Sequence, residues 1–148
     1  MLFTRKFGGF SGFFTASDQI ITAFKIDHRY AKLGEAEIID ARSGPRFRGE
    51  APEPRPGLRS GHIPGSRNVP FATLLNPDGT MKPVPELRAA FQSAGVDLAK
   101  PTITTCGSGV TAAILSLALE RIGHKNHALY DGSWAEWGMY DDLDVAKG

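Results

Sequence analysis

A chain of 148 residues, 41% hydrophobic and 22% charged, is long enough to bury one sizeable core and too short for two comfortable domains. Its formal net charge is +1, with Lys and Arg spread along the chain, which excludes the whole-molecule field that draws nucleic acid or an anionic membrane. One cysteine cannot close an internal disulfide and no apolar run approaches the roughly 20 residues that cross a bilayer, so a disulfide scaffold and a membrane helix are excluded and a soluble protein of a reducing compartment is expected.

Residues 1–17 carry Arg5, Lys6 and several Phe, Gly, Ser and Thr, with no acid before Asp18. They read as a flexible N-terminal segment, with a weak organelle transit peptide and an ordinary mobile terminus both open. The cytoplasm is the expected location, and the mitochondrion the alternative. Residues 18–148 form the single expected domain, opening with a helical segment around Gln19 to Tyr30. Glu37-Ile-Ile-Asp40 is a short apolar run closed by an acid, the pattern of a buried strand ending at a functional edge. From Asp40 to Gly65 the chain carries Pro45, Pro52, Pro54, Pro56 and Pro64 among five glycines, which forbids a long helix or a central strand. An ordered loop of that length is usually functional.

Asn68-Val-Pro-Phe71 predicts a second short strand leading into a turn or short helix. Val84 to Ala94 predicts a helix, with Leu87, Ala90, Phe91 and Ala94 at helical spacing and Gly95 as its stop. A strand over Thr102 to Thr105, a helix over Val110 to Ile122 closed by Gly123, and a strand over Ala128 to Tyr130 follow. A turn at Asp131-Gly132-Ser133 then precedes a short helix bearing Trp134 and Trp137. Strands alternating with helices imply a parallel sheet covered on both faces, whose ligands bind beyond the carboxyl ends of the strands.

Cys106 stands just past one such end, before Gly107-Ser-Gly109 and the next helix. A thiolate there gains from N–H groups of the first helical turn and from the positive end of the helix dipole. Gly107 and Gly109 allow the backbone to curl and aim several N–H groups at one sulfur, which favours a lowered thiol pKa. The competing reading is a buried cysteine packed as a small hydrophobe. It is weakened by a Gly-Ser-Gly turn, which is poor core material.

Five segments in order resemble one family: Asp40-Ala-Arg-Ser-Gly-Pro-Arg-Phe-Arg-Gly49, Pro52-Glu-Pro-Arg55, Gly61-His-Ile-Pro-Gly65 with Asn68-Val-Pro70, Cys106-Gly-Ser-Gly-Val-Thr111, and Asp131-Gly-Ser-Trp-Ala-Glu-Trp-Gly138. Together they resemble the rhodanese-fold sulfurtransferases, most closely the C-terminal catalytic domain of the 3-mercaptopyruvate sulfurtransferases. The resemblance implies a rhodanese-like α/β fold with a central parallel sheet flanked by helices, and Cys106 carrying a persulfide in turnover. The related dual-specificity phosphatases use a loop one residue longer that ends in Arg; here Thr111 closes the turn. Classical thiosulfate sulfurtransferases resemble Cys-Arg-Lys-Gly-Val-Thr at this point, whereas this neutral loop suits a monocarboxylate thiol better than a dianion.

By the same resemblance Arg46 and Arg55 hold the carboxylate and keto oxygens of the donor, for which a guanidinium fork is suited. Residue type alone would leave both as solvated loop arginines. Gly107, Gly109, Val110 and Thr111 are expected to present the backbone N–H groups of residues 107–111 to the thiolate and then to the persulfide. Ser108 matches a serine assigned to proton transfer, whose His and Asp partners belong to a preceding rhodanese domain absent from this sequence. Thr111 is weighted towards capping the following helix, with Ser108 open to the same role. His62 is expected to hydrogen-bond the loop and pack beside the site, and Asp40 to anchor backbone and Arg side chains; Trp134 and Trp137 read as packing. The expected partners are a small sulfur donor and a thiol acceptor such as thioredoxin, a small thiol or, in an assay, cyanide. No metal or organic cofactor is implied. A thiosulfate sulfurtransferase and a non-enzymatic binding module are the alternatives.

Overall fold

The computed structural model describes residues 5–6, 13–14, 23 and 26–148. Most of the N-terminal segment and half of the helix expected around Gln19 to Tyr30 lie outside the described residues. Two short strands, β1 (Arg5–Lys6) and β2 (Phe13–Phe14), pair antiparallel, and a π-helical turn spans Ile26–Ala31.

The body of the fold is a four-stranded parallel sheet in the order β4-β3-β5-β6, formed by β3 (Glu37–Asp40), β4 (Arg67–Asn68), β5 (Thr102–Thr105) and β6 (His127–Leu129). The central strands β3 and β5 are buried along their whole length, which explains why they read as continuous runs without polar alternation. Their register sets Ile38 beside Ile103 and Ile39 beside Thr104. Because successive side chains point to opposite faces, two cores result. Ile38, Ile103 and Ala128 pack with Ile26, Tyr30, Trp134 and Trp137 on one face. Ile39 packs with Val69, Leu87, Phe91, Leu115 and Leu119 on the other.

Beyond Tyr30, four α-helices complete the layers among the described residues: α1 (Gly44–Phe47), α2 (Val84–Ser93), α3 (Ala112–Arg121) and α4 (Ser133–Trp137). In α2 the buried residues are Leu87 and Phe91, one turn apart; in α3 they are Ala112, Leu115, Ala118 and Leu119, an apolar stripe at helical spacing. Chain order and element types agree with the expected α/β arrangement, and the boundaries differ in instructive ways. The helix expected from Val110 starts at Ala112, because Val110 and Thr111 belong to the cysteine loop. Strand β6 begins one residue earlier than expected, while Tyr130 N–H still donates to Thr104 O and extends the ladder. β4 shrinks to two residues before a 3-10 turn at Phe71–Leu74. Beyond it, Val69 and Phe71 N–H groups still donate to Asp40 O and Ala41 O, and Pro70 falls between them, where no donor is needed.

The proline-rich stretch forms only α1, with Pro45 in its first turn, and is otherwise held from outside. Arg59 donates to the carbonyls of Trp137, Gly138, Tyr140 and Leu143. His62 and Ala146 exchange both backbone hydrogen bonds at 2.9 Å, and Gly148 N–H donates to Arg48 O at 3.1 Å. These bonds tie the segment after α4 to the loop after β3.

Candidate active site

The loop leaving β3 is organised by a row of alternating charges. Asp40, at the carboxyl end of the strand, accepts hydrogen bonds from the Arg42 backbone N–H (2.9 Å), Nε and Nη2 (2.7 Å), and both side chains are 1% exposed. Arg42 Nη2 also donates to Gly61 O at 2.8 Å, Nη1 donates to Glu53, and the guanidinium lies 4.7 Å from the Trp134 ring centroid. Burial alone would push Arg42 down; the hydrogen bonds and charges of Asp40 and Glu53 outweigh it and hold the guanidinium above its ordinary value. The other Glu53 oxygen takes Arg46 Nε at 2.8 Å and Nη2 at 2.7 Å. A buried charge needs a partner, and here Arg42 and Glu53 each have two while Asp40 has Arg42. Arg46, at the end of the row, keeps 29% of its side chain exposed.

The loop leaving β5 is held without charges. Cys106 is 1% exposed, and its Sγ accepts the Gly109 N–H at 2.9 Å. Ser133 Oγ sits 3.8 Å from the sulfur, accepts the Cys106 N–H at 3.1 Å and approaches Tyr130 O at 2.9 Å, so its one proton serves either the sulfur or that carbonyl. Burial pushes the Cys106 thiol up. Hydrogen bonds from the Thr111 hydroxyl, the N–H groups of Ala112 and Gly109, and the Ser133 hydroxyl overcome that and leave it below the ordinary cysteine value. Trp134 N–H to Cys106 O (2.9 Å) and Ala135 N–H to Gly107 O (2.8 Å) lock the loop onto α4.

Of the N–H groups expected from residues 107–111, that of Gly109 reaches the sulfur, and the Ala112 N–H and two hydroxyls add to it in lowering the thiol pKa. Gly109 has the left-handed backbone that the curl requires, at φ +96°, and a Cβ there would meet Asp131 O at 2.7 Å. Gly107 does not curl in that sense. It instead gives room to Arg46, whose Nη2 would lie 2.7 Å from a Cβ at that position, and so lets the two loops meet. Thr111 occupies the N-cap position of α3 but makes no capping hydrogen bond with its side chain; the hydroxyl serves the sulfur instead, which corrects the capping assignment. Val110 is 74% exposed, its side chain turned to solvent.

A cavity of about 330 Å³ lies where the loops meet, lined by Arg46, Glu53, Pro54, Arg55, Leu58, Gly107, Ser108, Thr111, Trp134 and Ala135. It brings together Arg46, Arg55, Gly107, Ser108 and Thr111 from two loops more than fifty residues apart. Arg55 and Ser108 are exposed and have no hydrogen-bond or ion-pair partner among the described residues. His62 lies behind the site: Nδ1 is 2.8 Å from Phe47 O, and the imidazole stacks on Phe47 at 3.8 Å. Trp134 is buried, forms part of the cavity wall and donates Nε1–H to Arg59 O.

Glu53 and Ser133 were not singled out by sequence reasoning. For Glu53 the signal was present, an acid two residues before Arg55 in a loop rich in arginine. For Ser133 the sequence held no signal, since its partner is Cys106, 27 residues away.

The profile of the rhodanese-like domain matches residues 27–140. The chain is 54% identical over 110 residues to the 3-mercaptopyruvate sulfurtransferase of Escherichia coli (strain K12), covering 74% of this chain and 39% of that protein. It is 50% identical over 102 residues to the thiosulfate sulfurtransferase of Rattus norvegicus, covering 68% and 34%. Among solved structures, SseA from Escherichia coli, described as a 3-mercaptopyruvate sulfotransferase, superimposes with a TM-score of 0.68 at 39% identity, covering 83% of this chain and 45% of that one. The chain spans well under half the length of these curated relatives. No helix among the described residues is long and apolar enough to cross a membrane.

Proposed function

The chain belongs to the rhodanese family, and on that premise we propose that it is a sulfurtransferase that takes sulfur from 3-mercaptopyruvate onto Cys106 and passes it to a thiol. One observation carries this reading: a cysteine loop without charged side chains and two arginines share one cavity. A monocarboxylate with a keto oxygen and a thiol suits that lining, because the guanidinium forks take oxygens and the uncharged loop takes sulfur.

The Cys106 thiolate attacks the donor sulfur, an S–S bond forms, the C–S bond breaks, and the electron pair passes into the carbonyl to give the enolate of pyruvate. Arg46 and Arg55 stabilise the developing negative charge while Gly109 and Ala112 N–H groups, with Thr111 and Ser133, hold the Cys106 sulfur. The enolate takes a proton to become pyruvate, and Ser108, exposed in the cavity, is placed to hand it over from solvent. An incoming thiolate then attacks the outer sulfur, leaving with it as a persulfide and restoring the Cys106 thiolate. Thioredoxin or a small thiol fills that role, cyanide in an assay takes the same sulfur and leaves as thiocyanate, and a preceding rhodanese-type domain is the proposed macromolecular partner.

The test is steady-state release of pyruvate and sulfide from 3-mercaptopyruvate with a thiol acceptor, wild type against Cys106→Ser, with thiosulfate and cyanide in parallel. Mercaptopyruvate turnover that disappears in Cys106→Ser supports the reading. Brisk turnover of thiosulfate alone moves the protein to the thiosulfate class, and none with either donor points to a binding module or to groups supplied by a partner domain.

A further inference from the structure

The cavity beside Cys106 has a wall to which 3-mercaptopyruvate brings nothing. Arg46 and Arg55 suit the donor's oxygens, and Gly107, Ser108 and Thr111 flank its sulfur; apart from Glu53, which is turned to Arg42 and Arg46, the remaining lining is Pro54, Leu58, Trp134 and Ala135. No N–H of Pro54, Trp134 or Ala135 is free to meet a ligand. Proline has none, the backbone N–H groups of Trp134 and Ala135 donate to Cys106 O and Gly107 O at 2.9 and 2.8 Å, and the Trp134 indole N–H donates to Arg59 O. The two backbone bonds also fasten this apolar wall directly to the cysteine loop. The space exceeds the donor as well. 3-Mercaptopyruvate has seven non-hydrogen atoms, and even at the roughly 30 Å³ that one water takes in the liquid these fill about 210 Å³, against a cavity of about 330 Å³. The apolar lining continues into an adjoining cavity of about 250 Å³, which shares Arg55, Leu58 and Ala135 and adds Pro56 and Met139.

Resting on the sulfurtransferase reading, we propose that the donor class extends beyond 3-mercaptopyruvate to 3-mercapto-2-oxo acids that carry an apolar substituent on C3. C3 is bonded to the reacting sulfur. With that sulfur at Cys106 and the oxygens at the arginines, a group on C3 is the part of the donor that meets the wall fastened to the cysteine loop. Covering Leu58, Trp134 and Ala135 removes apolar surface from water, whereas a hydroxyl placed there loses its hydration without gaining a partner. The chemistry balances as it does for the parent donor. The Cys106 thiolate attacks the thiol sulfur, the S–S bond forms as the C–S bond breaks, and the electron pair passes into the carbonyl. The enolate then takes a proton at C3 and leaves as the 2-oxo acid with its substituent retained. The sulfur is oxidised to the sulfane level while C3 is reduced from C–S to C–H, so no outside oxidant or reductant enters.

The experiment loads the 148-residue chain in single turnovers with 3-mercaptopyruvate and with its C3-methyl, C3-ethyl, C3-propyl and C3-hydroxymethyl derivatives, and follows cyanolysable sulfur against donor concentration. The half-saturating concentration should fall about two- to fourfold for each carbon from methyl to propyl. The hydroxymethyl donor should bind about tenfold more weakly than its ethyl isostere. The sulfur-free products 2-oxobutanoate, 2-oxopentanoate and 2-oxohexanoate should compete with 3-mercaptopyruvate in the same rising order of affinity. Leu58→Asn should bring the propyl donor's advantage over the parent down towards one, and the product series reads the same wall in the unaltered chain should that variant fail to fold. Half-saturating concentrations that ignore the substituent or rise with it, in a chain that 3-mercaptopyruvate loads, overturn the extended class and leave the sulfurtransferase reading standing. So does a hydroxymethyl donor that matches its ethyl isostere. A chain that 3-mercaptopyruvate cannot load overturns the mercaptopyruvate reading itself, and the extended class falls with it.

Discussion

The loops that leave β3 and β5 meet over one cavity, yet they are built on opposite electrostatic plans. After β3, formal charges alternate as Asp40, Arg42, Glu53 and Arg46, with the inner three side chains at most 2% exposed. After β5, N–H and O–H dipoles hold the sulfur, with no counter-ion bonded to it among the described residues. The first plan fixes direction, because a chain of charge-assisted bonds aims Arg46 while cancelling most of the charge behind it. The second fixes reactivity, because neutral donors lower the thiol pKa and remain useful when the sulfur changes its charge. The same pocket can then be charged towards the donor's oxygens and neutral towards its sulfur.

The comparison is broken most completely at the nucleophile. Cys106→Ser should reduce transfer from either donor to background, with the thermal midpoint little changed. On the ionic side, Glu53→Leu strips Arg42 and Arg46 of a shared partner, and urea denaturation should show a loss of about 3–5 kcal/mol, the usual cost of breaking a buried pair from one side. Arg46→Lys keeps the charge but cannot reproduce the fork to Glu53; KM for 3-mercaptopyruvate should rise about tenfold with kcat within about twofold, the pattern of lost ground-state binding.

The neutral loop should respond in a different observable. Thr111→Val and Ser133→Ala each remove a donor from the sulfur, so the pH curve for alkylation of Cys106 should move to higher pH while donor KM changes little. The sign extends to stability. A thiol depressed in the folded state adds stability that is full above the unfolded pKa of about 8.5 and is lost as pH falls through the lower folded value. The advantage of wild type over Thr111→Val should follow that course in pH-dependent unfolding. The smallest expected effect is screening: donor KM should rise about twofold between low and physiological salt, because Arg55 is exposed.

What was legible in the sequence follows the range of the interactions. β3, β5, α2 and the place of Cys106 between a strand and a helix depend on neighbours a few residues apart, and period and composition report them. The Thr111 hydroxyl was misread because a threonine before a helix offers a local cap, and only the folded chain brings the sulfur within its reach. Gly107 was misread for a similar reason: its lack of a side chain answers to Arg46, sixty-one residues earlier, rather than to its own backbone. Glu53 and Ser133 act across 7 to 27 residues through contacts that no periodicity encodes.

The stitching of the segment after α4 to the arginine loop has a mechanical corollary. Gly148 bonds the carbonyl of Arg48, two residues from Arg46, and Ala146 is zipped to His62 next to the carbonyl of Gly61 that Arg42 grips. A handle attached at residue 148, whether an affinity tag, a dye or a tether for a force probe, therefore pulls on the site's own rigging. The same handle on the exposed turn at Asp78-Gly79 hangs from a hairpin bonded to itself and leaves the guanidinium undisturbed.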